Sequence, residues 1–188
     1  MNKDRYLVVV SGPSGSGKDT VVNRLRQLHP EIEISVSATS RAMRPGETEG
    51  VNYYYMTRDQ FEEKLAAGEI LEHTCYCGNY YGTPKSEVDR RIGQGITVVL
   101  VIEVEGAGNI RRLYPEATTI FVAPPSLEEL EHRLRGRGTE SEEAIQGRLA
   151  RAREELALAD QYTATVVNQE VDDCARQLYE IIRARQEG

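Results

Sequence analysis

The residues best placed to do chemistry lie in Gly12-Pro13-Ser14-Gly15-Ser16-Gly17-Lys18-Asp19-Thr20, directly after the apolar run 6–10. A glycine-rich turn between a strand and a helix leaves several backbone N–H groups without partners, all aimed at one small volume near the positive helix end. That volume suits an anion. Gly12, Gly15 and Gly17 let the backbone fold tightly around phosphate oxygens, and Lys18 carries a mobile charge toward β- and γ-phosphates. The candidate phosphate site therefore comprises Ser14, Gly15, Ser16, Gly17, Lys18, Asp19 and Thr20. The alternative, an ordinary glycine turn, is opposed by the spacing of Gly12, Gly17 and Lys18 and by the strand and amphipathic run on either side. The usual pattern sets Ser or Thr directly after the lysine, its hydroxyl on Mg²⁺; here Asp19 stands there and the hydroxyl comes one residue later, at Thr20.

Two further groups of polar residues stand out. Ser37, Arg41, Arg44, Tyr53, Glu72, Tyr81 and Thr83 fall in a segment, 35–83, that is rich in tyrosine, glycine and charge and lacks long apolar runs. It reads as an insertion built for binding. Later come Glu103 after an apolar run, the arginines 133, 135, 137, 148, 151 and 153 among glutamates, and Asn168. Taken singly, an Arg or Tyr here reads as a solvated surface residue, Glu72 as a strand-end carboxylate and Asn168 as a turn residue. The three histidines lack a partner at metal-ligand spacing, and no residue is assigned as a metal ligand.

The elements that must position these groups follow from periodicity. Val21, Val22, Leu25 and Leu28 share one helical face, and Pro30 ends that helix. A short strand is expected over 34–37, and Thr57 with Gln60 gives a capping box for a helix that turns Phe61 and Leu65 inward and closes at Gly68. Helix over 86–93, a doubly buried strand over 97–102, helix around 110–113 and strand over 119–123 come next. Ser126 with Glu129 caps a helix bearing Leu127, Leu130 and Leu134; Thr139 with Glu142 opens a longer one to about Asp160. A last strand, 164–167, precedes a closing helix marked by Val171, Cys174, Leu178, Ile181 and Ile182. This alternation predicts an α/β fold, a parallel sheet flanked by helices with ligands at the carboxyl ends of the strands.

Composition narrows the partners. A chain of 188 residues suits one domain with insertions, burying about 70 per cent of the surface its unfolded form exposes. The three cysteines read as reduced, structural thiols. No apolar stretch approaches the about 20 residues of a membrane span, and residues 1–5 lead into a core strand without a cleavable signal, so a cytoplasmic protein without membrane partners is expected. The net charge of −7 argues against nucleic acid; small phosphates held by local arginines fit better.

GPSGSGKDT at 12–20, SVSATSRAMRPGETEGVNYYY at 35–55, EILEHTCYCGNYYGTP at 69–84 and APPSLEELEHRLRGRGTES at 123–141 together resemble the guanylate kinases, in the family's order and over nearly the whole chain. The order lysine, other residue, threonine is similar to a variant found among nucleoside monophosphate kinases. The resemblance implies a P-loop NTPase-type core over 1–34 and 84–188, a small mixed α+β GMP-binding insertion over 35–83 and a helical lid at about 136–152. It implies an enzyme making GDP from GMP with ATP as phosphoryl donor and Mg²⁺ held mainly by nucleotide phosphates and water.

The residue roles follow from the same resemblance. Arg41 and Arg44, three apart, would clamp the GMP phosphate with the phenols of Tyr53 and Tyr81 beside them. Glu72 would accept from guanine N1–H and the exocyclic amine, with Ser37 and Thr83 on other polar atoms and Thr83 facing O6. Glu103 would sit by the substrate, Arg137 and Arg148 would close over the transferring phosphoryl group, and Arg133 and Asn168 would lie on the ATP side. Lys18, Arg41, Arg137 and Arg148 are thus the expected catalytic residues, whereas Arg135, Arg151 and Arg153 are expected on solvated helix faces. The chain departs from the family at Val101, where relatives commonly carry a second acid. Two rival functions remain open on sequence: a non-catalytic guanylate-kinase-like interaction module, opposed by Lys18 and the lid arginines, and a sugar-phosphate kinase of related fold, suggested by Lys18-Asp19 but with no use for the guanine-directed set.

Overall fold

The computed structural model describes residues 3–76, 78–136 and 141–187, with Tyr76 described by its backbone. Five strands form a wholly parallel sheet: β1 (Leu7–Ser11), β2 (Ile32–Ile34), and three later ones separated from them by a second sheet. That second sheet holds β3 (Ala38–Thr39), β4 (Tyr54–Tyr55), β5 (Ile70–Tyr76) and β6 (Asn79–Pro84). The first sheet resumes with β7 (Thr97–Val101), β8 (Thr118–Ala123) and β9 (Ala164–Val167), in the spatial order β2-β7-β1-β8-β9. The helices are α1 (Lys18–Leu28), α2 (Arg58–Ala66), α3 (Lys85–Gly93), α4 (Val104–Leu113), α5 (Leu127–Gly136), α6 (Glu142–Leu156) and α7 (Val171–Glu187).

β1 is central because every one of its residues is buried, which a strand covered on both faces requires. Its side chains alternate: Leu7 and Val9 join the layer holding Val88 and Ile110 of α3 and α4, while Val8 and Val10 meet Val21, Leu25 and Leu178 of α1 and α7. The register pairs Val9 with Leu100 on one side and Thr119 on the other. All five strands then deliver their carboxyl ends to one edge. The strand expected at 34–37 is shifted to Ile32–Ile34, because the turn closed by the Ile32 amide on the His29 carbonyl (3.0 Å) lets buried Ile32 start the pairing at once.

The second sheet is mixed, parallel between β3 and β4 and antiparallel across β3, β6 and β5. Phe61 is fully buried there and stacks on Tyr80 at 5.1 Å, held by the reciprocal Thr57–Gln60 capping box at the start of α2. Tyr54 donates to Glu87 Oε2 (3.0 Å) and so ties this sheet to α3, where buried Glu87 is paired with Arg90 and Arg91. α5 and α6 pack through Leu130, Leu134, Ile145 and Leu149. Ser126 caps α5 by accepting from the Glu129 amide (3.1 Å), but the Glu129 carboxylate goes to Arg133 rather than back to the cap. Ser141 caps α6, and the expected cap Thr139 lies outside the described residues. α6 ends at Leu156 rather than Asp160, where a 3₁₀ turn over Ala159–Gln161 takes over. Among the described residues no helix is long and apolar enough to cross a membrane.

Candidate active site

The glycine loop joins β1 to α1 at the carboxyl edge of the sheet, with Gly17 as the residue before the helix. Gly17 has φ 90°, and a Cβ there would fall 2.4 Å from Asn168 Nδ2, so both backbone and space demand glycine. The amides of Lys18, Asp19 and Thr20 have no intrahelical acceptor by helix geometry, since the first such bond runs from Val21 to the Gly17 carbonyl (3.0 Å). Lys18 is nearly buried and its Nζ donates to the loop's own Gly12 and Pro13 carbonyls, at 2.7 and 3.2 Å. Its charge is thus fixed inside the rim of the loop.

Asn168 and Arg133 brace this loop from behind. Asn168 Nδ2 donates to the Ser16 carbonyl (2.8 Å), while Arg133 reaches the Asn168 carbonyl (3.2 Å) and the Ser16 carbonyl (3.5 Å). The buried Ser16 Oγ and Asn168 Oδ1 have no hydrogen-bond partner among the described residues. Ser14, Gly15, Gly17, Lys18, Asp19 and Thr20 line a cavity of about 220 Å³ with Glu103 opposite. Asp19, which has no hydrogen-bond or ion-pair partner among the described residues, also lines a cavity of about 270 Å³ that reaches Ser37, Tyr53 and Thr83. The phosphate loop and the second sheet therefore meet at Asp19.

On the second sheet, Arg41 is gripped by a residue the sequence did not single out. Glu47 accepts from Arg41 Nη2 and Nη1 at 2.7 and 3.0 Å, from the Arg44 backbone amide at 2.7 Å and from the Tyr55 hydroxyl at 2.8 Å. This set pulls the Glu47 carboxyl down to about 2 and raises the Arg41 guanidinium, each chiefly through their mutual hydrogen bonds. The Arg41 guanidinium lies 5.5 Å from the ring centre of Tyr53, whose edge meets Tyr81 at 5.8 Å. The Arg44 side chain is exposed, and its backbone amide is the part that Glu47 holds. Ser37 is half-buried and gives its carbonyl to the Tyr54 amide (2.8 Å).

Glu72 is a buried residue of β5, not a strand-end surface carboxylate. Thr83 Oγ1 donates to Glu72 Oε1 at 2.6 Å, so the hydroxyl expected on a ligand's O6 is engaged with the carboxylate. Burial pushes the Glu72 pKa up, against the Thr83 hydrogen bonds, and the Glu103 charge pushes it the same way. α4 presses on this group at Gly106, where a Cβ would lie 2.8 Å from Glu72 Oε2. Glu103 precedes α4 and lines both the loop cavity and a third cavity, of about 420 Å³. Ser14, Tyr81 and Arg148 share that third cavity, and Arg148 Nη1 lies 3.4 Å from Ser14 Oγ. Arg137 lies outside the described residues.

The guanylate kinase family model matches residues 4–185 of this chain. The chain belongs to the guanylate kinase family. It is 54% identical over 166 residues to the guanylate kinase of Trichormus variabilis, covering 88% of this chain and 83% of that protein. It is 53% identical over 162 residues to that of Gloeobacter violaceus, covering 86% and 79%. In structure it is similar to the guanylate kinase of Anaplasma phagocytophilum, with TM-score 0.75 and 34% identity over 97% of this chain and 86% of that one. The solved relative shares the P-loop NTPase-type α/β architecture.

Within this guanylate kinase framework the sequence reading passed over four residues. Glu47 gave no signal beyond lying three residues after Arg44, and Gly106 none beyond being a glycine inside a helix, which is costly unless close packing demands it. Arg151, expected on a solvated face, lines the third cavity beside Arg148, and Glu155, one turn further along α6, is buried against it. Arg135 does lie on the surface, paired with Glu131 and Glu142.

Proposed function

We propose that this protein transfers the γ-phosphoryl group of ATP to GMP, giving ADP and GDP, with the site residues acting as follows. The observation that carries the reading is that the loop cavity and the third cavity share Ser14 and Glu103, so a donor on the glycine loop and an acceptor beside Tyr81 meet across one wall. Family membership and the named relatives support the same activity.

No protein nucleophile is needed, because the GMP phosphate oxygen attacks the γ-phosphorus directly and the protein supplies alignment and charge. The amides of Lys18, Asp19 and Thr20 and the Lys18 ammonium hold the donor phosphates; the ammonium exchanges the Gly12 and Pro13 carbonyls for phosphate oxygens. Arg41, aimed by Glu47, binds the acceptor phosphate with Arg44, Tyr53 and Tyr81. Glu72, ionised, accepts from guanine N1–H and N2–H, and Thr83 with Ser37 completes the base pocket. Arg148 and Arg137 add positive charge over the transferring group.

The residues present fit a divalent ion held mostly by the nucleotide: Asp19 and Thr20 offer oxygens at the loop, while no cluster of three His, Cys, Asp or Glu that could hold an ion occurs among the described residues. Mg²⁺ bound with ATP neutralises phosphate charge. The division into a core over 1–34 and 84–188, an insertion over 35–83 and a lid at about 136–152 belongs to this reading, since both arginine sets must close on one phosphoryl group and exclude water. A cytoplasmic location fits it as well, with Cys75 and Cys174 as free thiols.

A coupled assay with Mg²⁺-ATP and a panel of nucleoside monophosphates and sugar phosphates tests the reading. GMP turnover far above every other acceptor is expected; a sugar phosphate turned over as well as GMP, or no turnover at all, overturns it.

A further inference from the structure

α6 carries Arg148 and Arg151 three residues apart, on neighbouring positions of one helical face. Both line the third cavity, whose other walls include Ser14 of the glycine loop and Tyr81 of the second sheet. Arg151 is anchored at one edge: its Nε donates to Glu155 Oε1 at 2.8 Å. The Glu155 side chain is only 9% exposed, while that of Arg151 is 61% exposed. The anchor is therefore buried and the guanidinium is not. The N–H groups on Nη1 and Nη2 have no hydrogen-bond partner among the described residues. The hydrogen bond to Glu155 chiefly favours the Arg151 charge, against a desolvation cost, and the carboxylates of Glu155, Glu103 and Glu105 add to it.

An arginine held through Nε, with its two-nitrogen end unpartnered among the described residues at the wall of a cavity that Ser14 and Arg148 also line, is a pre-aimed ligand for oxyanions, because the planar fork loses little further freedom on binding. A side chain serving merely as a helix-surface ion pair gains little from such an anchor, since exposed pairs contribute about 0 to 1 kcal/mol. We infer that Arg151 is a phosphate-binding residue of the transfer zone, contacting phosphate oxygens where donor and acceptor nucleotides meet, and that Glu155 is the positioning residue that aims it. This rests on the phosphotransfer reading of the site. The carboxylates around it give the proposal a second side. With the cavity unfilled by phosphate they satisfy Arg151 electrostatically, and Glu103 gives up part of this attraction when an oxyanion enters.

The test compares wild type, Arg151→Ala, Arg151→Lys and Glu155→Gln with a bisubstrate probe, adenosine and guanosine joined 5′ to 5′ through five phosphates. Affinity by calorimetry is read beside kcat and the KM values for ATP and GMP. Wild-type GMP turnover, measured first, settles the phosphotransfer reading by itself. With that established, Arg151→Ala should lower both kcat and bisubstrate affinity about tenfold, the effect of one charge-assisted contact, while each KM stays within twofold. Arg151→Lys should recover part of the loss, and Glu155→Gln should lower kcat about threefold through misalignment. Bisubstrate affinity and kcat within twofold of wild type in Arg151→Ala overturn the proposal. So does a loss that Arg151→Lys leaves uncorrected and that follows a drop in melting temperature, which would make Arg151 a counter-ion of Glu155.

Discussion

Glu47 holds Arg41 through two parallel hydrogen bonds, 2.7 Å at Nη2 and 3.0 Å at Nη1, in the fork geometry that Arg and a carboxylate share. Both side chains are largely buried, 12% and 19% exposed, and Tyr55 and the Arg44 amide fill the remaining acceptor sites of Glu47. The Ala42 carbonyl takes the second Nη1–H (2.7 Å), so the Nε–H and one Nη2–H of this guanidinium remain to be shared between Tyr81 and a phosphate.

Glu47→Gln should therefore raise the KM for GMP about tenfold with the KM for ATP within twofold, because the amide turns an acceptor into a donor facing the arginine. Steady-state kinetics with each substrate varied checks this. The Glu47 pKa lies below its unfolded value, so its contribution to stability is complete above the ordinary carboxylate range and is lost as pH falls toward about 2. Acid melts of wild type and Glu47→Gln should converge in that window. An unchanged GMP KM removes Glu47 from the site.

Lys18→Ala should leave a folded protein with kcat down at least about 100-fold. The ammonium bonds the carbonyls of Gly12 and Pro13, both buried loop residues, so its loss costs about 1 to 3 kcal/mol of stability, short of unfolding a typical domain, whereas nothing replaces a fixed charge at the transferring phosphoryl group. Circular dichroism and single-turnover kinetics check both halves; activity within threefold of wild type contradicts the assignment.

The sequence made legible whatever depends on local pattern. The loop, the order of strands and helices and the Thr57–Gln60 cap were readable because apolar periodicity, glycine spacing and capping chemistry act over a few residues. The contacts that tune the site are long-range. Gly106 against Glu72, Asn168 on Ser16 and Arg151 across from Tyr81 join residues that only tertiary packing brings together. Arg151 is exposed and paired with a glutamate, as its helix pattern implies, and its place on a cavity wall was not legible because among alternating Arg and Glu on a helix a solvated face and a cavity wall have the same local composition.

Asp19 places a carboxylate with no partner among the described residues on the wall of the phosphate-loop cavity, where it repels a nucleotide polyphosphate unless a cation lies between them. Wild type should thus gain more ATP affinity from Mg²⁺ than Asp19→Ser does, by about tenfold, the weight of one added ionic contact. Calorimetric titration of ATP with and without Mg²⁺ in both proteins measures the difference. Equal metal dependence in the two excludes Asp19 from metal handling.

Glu72 has a folded-state pKa above its unfolded value, chiefly through burial. The native state then binds more protons than the unfolded one between those two values, so this residue's contribution to stability grows as pH falls through the raised pKa. Binding runs the other way, since only the ionised form accepts two guanine donors. GMP affinity should begin to fall at a pH above the ordinary carboxylate range, while the melting temperature of wild type rises relative to Glu72→Gln over the same window. Parallel changes in both quantities, or none, rule out the ionised role.

Base selectivity gives the last prediction, through the contact of Gly106 with Glu72. Guanine presents donors at N1 and N2 and an acceptor at O6; adenine presents an acceptor at N1 and a donor at N6. An ionised Glu72 facing adenine loses both donors, and a buried unsatisfied group costs about 1 to 3 kcal/mol, more when charged. Discrimination of about 10⁴ in kcat/KM for GMP over AMP is reasonable for a site built to bond the correct base. A Cβ at position 106 would stand 2.8 Å from Glu72 Oε2 and 3.3 Å from its Cβ, so the carboxylate must move. Helix propensity alone favours Ala over Gly by about 1 kcal/mol, so Gly106→Ala should fold. It should nonetheless lose GMP over AMP selectivity by 10-fold or more, because displacement of Glu72 weakens both bonds to guanine and costs adenine nothing. Glu72→Gln should lose it further by removing the charge. Measuring kcat/KM for GMP and AMP in the three proteins decides the matter: a ratio unchanged in Glu72→Gln means that another group reads the base, and a ratio unchanged in Gly106→Ala alone means that the carboxylate tolerates the shift.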